Sequence, residues 1–286
     1  MPFPSGPIEL TAEMFLLGNW LDVTANLAEE SAVTVTRGAQ DEDNVPTATR
    51  CAFRMDNSTG DFSPPNPSGA YWDTFGQNTL TRLTMPRTRD TFTRAVVNGW
   101  GSNDYGLLWT TIKGSGGTIQ ASDYQVTGSV GTISVPVANG YRFAYLPGLI
   151  VRDVDVMMRA TLPFTDVTGA PVYPICVQMR GVGDTDWVYA ACAVATNETV
   201  SIGIFHFDGT VIAPAVTVPG LTHISAQALI VRAAAEGHTY RAKVWRADQP
   251  EPASWQARGH FTRNAAPGWI GGMVLVPTGN TNTKPI

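Results

Sequence analysis

Two stretches of the chain alternate cleanly between apolar and polar positions. In Asp153 to Ala160, the residues Val154, Val156, Met158 and Ala160 point one way, and Asp153, Asp155, Met157 and Arg159 the other. In Thr239 to Trp245, Tyr240, Ala242 and Val244 oppose Arg241, Lys243 and Trp245. Thr49 to Met55 repeats the pattern, with Cys51, Phe53 and Met55 opposite Arg50, Ala52 and Arg54. A period of two marks a half-buried β-strand. Val172–Met179, Trp187–Ala195, Val200–Phe207, Leu229–Ala235 and Trp269–Val276 are further apolar runs of strand length, and Ala32–Thr36 and Asn78–Met85 add strands near the start. Turn signals separate them: Asp208-Gly209, Glu236-Gly237, Gly181 to Asp184 and Thr278-Gly279-Asn280. No helical repeat interrupts this series. The expected fold is all-β: a small N-terminal β domain followed by a two-sheet antiparallel jelly-roll sandwich.

Charge places the boundary. Residues 1–89 hold 6 basic and 11 acidic residues, and residues 90–286 hold 13 of each, so the whole net charge of −5 lies in the first part. Pro86-Arg87-Thr88-Arg89 reads as the connector, giving domains 1–89 and 90–286. Charged residues make up 15% of the 286, which suits sheet packing better than long solvated helices, and 43% hydrophobic residues exclude a disordered chain. An acidic chain without a basic run is a poor nucleic-acid binder. No stretch approaches the roughly 20 apolar residues of a membrane span, and the proline-containing N-terminus lacks a basic leader region, so neither membrane insertion nor a signal peptide is expected. The three cysteines, Cys51, Cys176 and Cys192, are widely spaced and form no zinc pattern. Cys176 and Cys192 lie in apolar runs and read as small core residues, with a bridge between them as the alternative.

Catalytic constellations are scarce. The histidines 206, 223, 238 and 260 form no metal-binding spacing, and the glycine-rich Gly114 to Gly117 lacks the lysine of a phosphate loop. A glycosidase needs two carboxylates in one cleft, and the three glutamates of the second part, Glu198, Glu236 and Glu251, each sit beside turn residues. The expectation is therefore a non-enzyme with no catalytic residue, cofactor or metal. Sugar binding is the more plausible chemistry, because sugars stack on aromatic rings while polar groups fix their orientation. Trp187 and Tyr189 follow Asp184 and Asp186 at a loop-to-strand junction and form the candidate carbohydrate site. The Asp61 to Pro67 loop holds three prolines and cannot join a central strand. It reads as an ordered surface loop that loses little entropy on docking. Phe62, Pro64, Pro65, Asn66, Pro67, Tyr71 and Trp72 form the candidate assembly surface.

Several of these segments carry a family resemblance. Val33-Thr34-Val35-Thr36-Arg37-Gly38, Arg50-Cys51-Ala52-Phe53-Arg54-Met55-Asp56-Asn57, Gly60-Asp61-Phe62-Ser63-Pro64, Asn66-Pro67, Ala70-Tyr71-Trp72 and Gly76 to Leu83 follow one another in an order and spacing that resemble the N-terminal domain of minor tail proteins of long-tailed bacteriophages infecting actinobacteria. Asp90 to Arg94, Gly99-Trp100-Gly101, Trp109, Ser122-Asp123-Tyr124, Asp153 to Val156, Ala242 to Trp245 and Pro252 to Trp255 resemble the laminin-G-like, concanavalin-type jelly roll that many of these proteins carry. The resemblance implies a virion structural protein of the tail tip or baseplate, assembled in the host cytoplasm. It would partner other tail-tip proteins, form a homo-oligomer of three or six copies about the tail axis, and meet a host glycan at its outer end. The family usually runs past the Gly279 to Thr283 turn into a closing strand, whereas this chain stops at Ile286. Either another chain supplies that strand, or the fold closes differently, or the sequence is a fragment.

Overall fold

A computed structural model describes residues 11–28, 34–36, 50–84, 88–164, 166–264 and 266–282, with the side chains of 34–36, 50, 51 and 84 left out. Part of the expected Ala32–Thr36 and Thr49–Met55 strands, the Pro86-Arg87 connector and the end of the Gly279 to Thr283 turn lie outside these residues. The chain divides into two compact units, Met1–Arg87 and Thr88–Ile286.

The first unit is built on a three-stranded antiparallel sheet. Its strands are β1 (Thr11–Leu16), β2 (Asn19–Asp22) and β5 (Thr81–Thr84), in the order β2-β1-β5, and a second pair joins β3 (Thr34–Thr36) to β4 (Arg50–Ala52). β1 alternates half-buried and buried positions, so Ala12, Met14 and Leu16 enter a small core with Val23 and Phe62. Across β1 and β5, Glu13 pairs with Arg82, whose Nη2 donates to Oε1 at 2.7 Å.

The second unit is a β-sandwich. β10 (Val154–Ala160), β15 (Leu229–Glu236), β16 (Thr239–Arg246) and β17 (Ala257–His260) form a four-stranded sheet in that order. The facing sheet has seven strands: β14 (Val211–Thr222), β13 (Thr199–His206), β12 (Asp186–Val194), β11 (Val172–Val182), β18 (Gly268–Val276), β9 (Gly140–Val151) and β6 (Thr110–Ser115), again in spatial order. A hairpin of β7 (Tyr124–Thr127) and β8 (Val130–Ile133) stands beside them. All the pairings are antiparallel. The main core lies between the sheets. Val156 of β10, Val231 and Ala233 of β15, and Tyr240, Ala242 and Val244 of β16 meet Ala144, Leu146, Val177, Val188, Ile202, Ile204, Ile270 and Val274 of the larger sheet. Trp100 and Trp109 pack edge to face within this core, 5.1 Å between ring centroids.

The two alternating stretches fold as their patterns predict, as β10 and β16. One detail differs. The second face of β16 does not meet solvent, since Lys243 and Trp245 are buried. The Asp248 to Gln256 segment covers it. Lys243 donates to the Pro252 carbonyl at 2.6 Å and pairs with Glu251 at 2.7 Å, and the Trp255 ring lies 4.9 Å from its ammonium.

Cys176 and Cys192 are both buried and free. They sit on neighbouring strands with opposite facing: Cys192 enters the inter-sheet core and Cys176 a second cluster on the other side. Burial pushes the Cys192 thiol up to about 12 and raises Cys176 as well. Burial likewise raises Tyr124 to about 12. The neutral forms are thus favoured in the folded state, while the unfolded chain ionises near 9.0 for the thiols and 10.0 for the phenols. These groups therefore add stability below pH about 9, which is lost progressively from about 9 to about 12. Urea midpoints measured across that range should fall steadily as pH rises. A midpoint that holds level from pH 8 to 11 would show the burial assignment to be wrong.

Candidate functional site: an aromatic sheet face

The face of the seven-stranded sheet turned away from the core is paved with rings. Pairing registers bring its outward positions into rows across the strands. One row runs Thr110, Tyr145, Gly271, Gln178, Tyr189, Phe205. A second runs Lys113, Phe143, Met273, Cys176, Ala191, Gly203. Phe143, Trp187 and Trp269 form a buried floor, and Tyr141, Tyr145, Tyr173, Tyr189, Phe205 and Phe207 stand half-buried around it. Trp187 is 4.2 Å from Phe207, 5.1 Å from Phe143 and 5.5 Å from Trp269 between centroids, and Tyr145 is 4.5 Å from Trp269. Tyr189 and Phe205 lie 5.8 Å apart.

Glycines make this paving fit. A Cβ on Gly181 would fall 2.1 Å from the Trp269 ring, so Trp269 lies flat over bare backbone there. A Cβ on Gly271 would stand 2.7 Å from Gln178 Oε1 and 2.9 Å from Tyr145 Cβ. The missing side chain is what admits the Gln178 amide between the rings.

The polar groups of the face are few. Gln178 is fully buried, and neither its Oε1 nor its Nε2 has a hydrogen-bond partner. The buried indole Nε1 of Trp187 is equally unpartnered, whereas that of Trp269 donates to the Gly183 carbonyl at 3.2 Å. An unpaired buried polar group costs on the order of 1–3 kcal/mol. Burial raises the Tyr189 hydroxyl to about 12, so it remains a proton donor at neutral pH. At the rim, Lys113 of β6 pairs with Asp184, whose carboxylate holds the ammonium above its usual range.

The carbohydrate residues expected from the sequence are therefore only partly assembled as expected. Tyr189 does stand on the face. Trp187 does not present an exposed ring: it is 0% exposed and serves as floor, because its position on β12 points it under Phe207. Asp184 and Asp186 diverge. Asp184 turns to Lys113, while Asp186 accepts from Asn264 Nδ2 at 3.0 Å and meets His206 Nε2 at 2.8 Å. His206 is in turn held by Asp208, 2.9 Å from its Nδ1. Tyr145, Phe205, Phe207, Trp269 and Gln178 were missed as site residues. The only local signal for them was the alternation Tyr141, Phe143, Tyr145.

In the first unit the expected assembly surface splits in two. Phe62 is buried, 5.2 Å from the Tyr71 ring and 5.7 Å from Phe75, so it is a core residue and not a docking residue. Hydrogen bonds within the loop turn it inward: Phe62 N donates to Asn57 Oδ1 at 2.9 Å, and Asn66 Nδ2 donates to the Gly60 carbonyl at 3.0 Å. Asn66 and Tyr71 are half-buried, and Pro64, Pro65, Pro67 and Trp72 are exposed.

No family model matches the chain, and no curated protein does. Among solved structures it is similar to lectin I-B4 from Griffonia simplicifolia in its metal-free form, at 10% identity and a TM-score of 0.37, over 64% of this chain and 89% of that one. Peanut lectin with a 9mer peptide matches at 11% identity and a TM-score of 0.35, over 64% and 89%. A GH43 protein from Bacillus licheniformis matches at 13% and 0.36, over 77% of this chain and 43% of that one.

Proposed function

We propose that this protein is a non-enzymatic structural component of a phage tail tip whose sandwich unit binds glycan on the host surface. The glycan-binding part rests on one observation: half-exposed rings standing on a rigid aromatic floor across a seven-stranded sheet. Sugar rings stack on such surfaces through their C–H faces, and a sheet holds the rings without an entropic cost at binding. Outward strand positions on this face carry no charge apart from Lys113, which is already paired, so the ligand class that fits is a neutral saccharide. Binding without cleavage is supported by the carboxylates nearest the face, Asp184 and Asp186, which are tied to Lys113 and His206.

The tail-tip part rests on the resemblance, in residue order and spacing, of residues 33–83 to the N-terminal domain of phage minor tail proteins. Under this reading the first unit docks through Pro64, Pro65, Pro67 and Trp72 onto neighbouring tail proteins, in three or six copies about the tail axis.

Tyr145→Ala and Tyr189→Ala each remove a half-buried ring that packs beside the floor and leave Phe143, Trp187 and Trp269 in place. Each should weaken glycan binding by about tenfold, with a smaller fall in melting temperature than Trp187→Ala produces. Titration of a host-wall polysaccharide fraction followed by tryptophan fluorescence reads this. Unchanged affinity in both variants, or release of new reducing ends by the wild type, would overturn the binding-only reading. Absence of the chain from purified virions would overturn the tail assignment.

A further inference from the structure

We propose that the aromatic face selects acetamido sugars, with the Gln178 carboxamide and the Trp187 indole N–H as the groups that read the acetamido moiety. The inference rests on the glycan-binding reading above and names its ligand class. It begins from a cost. Three of the six buried, unpartnered side-chain atoms among the described residues belong to Gln178 and Trp187, on this one face. An apolar residue at position 178 would bury as well among these rings and leave no amide unpaired.

The chemistry of the two groups defines their complement. A carboxamide offers two N–H donors and a carbonyl acceptor, and an indole offers one donor. The matching ligand group must supply a carbonyl to accept and an N–H to donate. Its remaining surface must be apolar, because Tyr145, Gly271 and Tyr189 surround Gln178. The acetamido group has this composition: a C=O, an N–H and a methyl. A hydroxyl offers no methyl to pack against the rings. A carboxylate would need a cation, and Lys113 is committed to Asp184. Spacing agrees as well. Gln178 pairs with Tyr189, and Trp187 lies two residues further along the same face of β12, a diagonal separation of about 7–8 Å. At that separation both side chains can reach toward one bound sugar ring. Tyr145 and Tyr189 flank Gln178 and are only partly buried, and under this proposal one of them swings toward solvent on binding to uncover the amide.

The test uses the full chain and two matched probes: the β-1,4-linked trimer of N-acetylglucosamine, and cellotriose, which has a hydroxyl in place of each acetamido group. Calorimetric titration of the wild type should give the acetylated trimer an advantage of about tenfold or more. Gln178→Leu should bring the ratio of the two affinities close to one, with a melting temperature no lower than wild type. Trp187→Phe keeps the ring and removes the N–H, and should also reduce the ratio. Equal wild-type affinities, or a ratio unchanged in both variants, would overturn the proposal. If neither trimer binds while other glycans on an array do, the acetamido assignment fails and the glycan reading stands. If no glycan binds, both fail.

Discussion

Replacing Arg180 by methionine should cost the protein about 1.5–3 kcal/mol, a loss readable as a fall in the urea midpoint. The side chain is fully buried, and it ties strands from both sheets together. It leaves β11 of the larger sheet and bonds the Arg152 carbonyl before β10, the Gly237 carbonyl of the β15–β16 turn at 2.6 Å, the Tyr240 hydroxyl at 3.0 Å and the Asn264 carbonyl at 3.1 Å. Asp153 takes a further bond at 3.1 Å and supplies the opposing charge. Methionine matches the length but not one of these donors. The half-buried Gly237 carbonyl loses its side-chain donor, and the buried Asn264 carbonyl keeps only the Tyr240 hydroxyl, at 2.6 Å. Arg180→Lys keeps the charge but not the fork geometry, and should recover only a minor part of the loss. A change below about 1 kcal/mol in Arg180→Met would show that the two sheets do not depend on this clamp.

Trp187→Ala is expected to cost a further 3–5 kcal/mol, a figure set by the cavity it opens. The indole is 0% exposed and touches Phe143, Phe207 and Trp269. Its removal should collapse the floor and abolish glycan binding along with stability. Loss of binding in this variant alone would therefore say nothing about direct contact. Trp187→Phe should retain most of the stability and the floor. A Trp187→Ala protein that unfolds at the wild-type midpoint would contradict the burial on which the site is built.

The strand pattern was legible where one face meets solvent, as in β10. Apolar runs of strand length also marked β11, β12, β13, β15 and β18, where neither face meets solvent, but β9, interrupted by proline and glycine, was not read. β9 is buried on both sides, with Tyr141, Phe143 and Tyr145 opposite Arg142, Ala144 and Leu146, and carries Pro147 and Gly148 inside its length. Those two residues fall in the register break between its Leu146 and Val151 pairings with β18. The site was less legible than the fold. Trp187 and Tyr189 could be named from their place beside a turn, but which of them faces out depends on packing by Phe207 and Trp269. Tyr145, Gln178 and Trp269 become neighbours only because β9, β18 and β11 are adjacent, an order that local periodicity does not encode. Gln178 was invisible for a further reason: a glutamine in an apolar strand gives no sign of whether it will find a partner.

One edge of the larger sheet bears on how the protein behaves in company. β14 is its last strand, and Pro214 and Pro219 each fall within a break in its register with β13. Proline has no N–H to offer an incoming chain, and each break bends the strand away from a straight ladder. The edge is thus a poor template for strand-by-strand growth. At this edge, copies crowded side by side would meet through side chains, which can be separated again, and not through a continuous sheet that cannot.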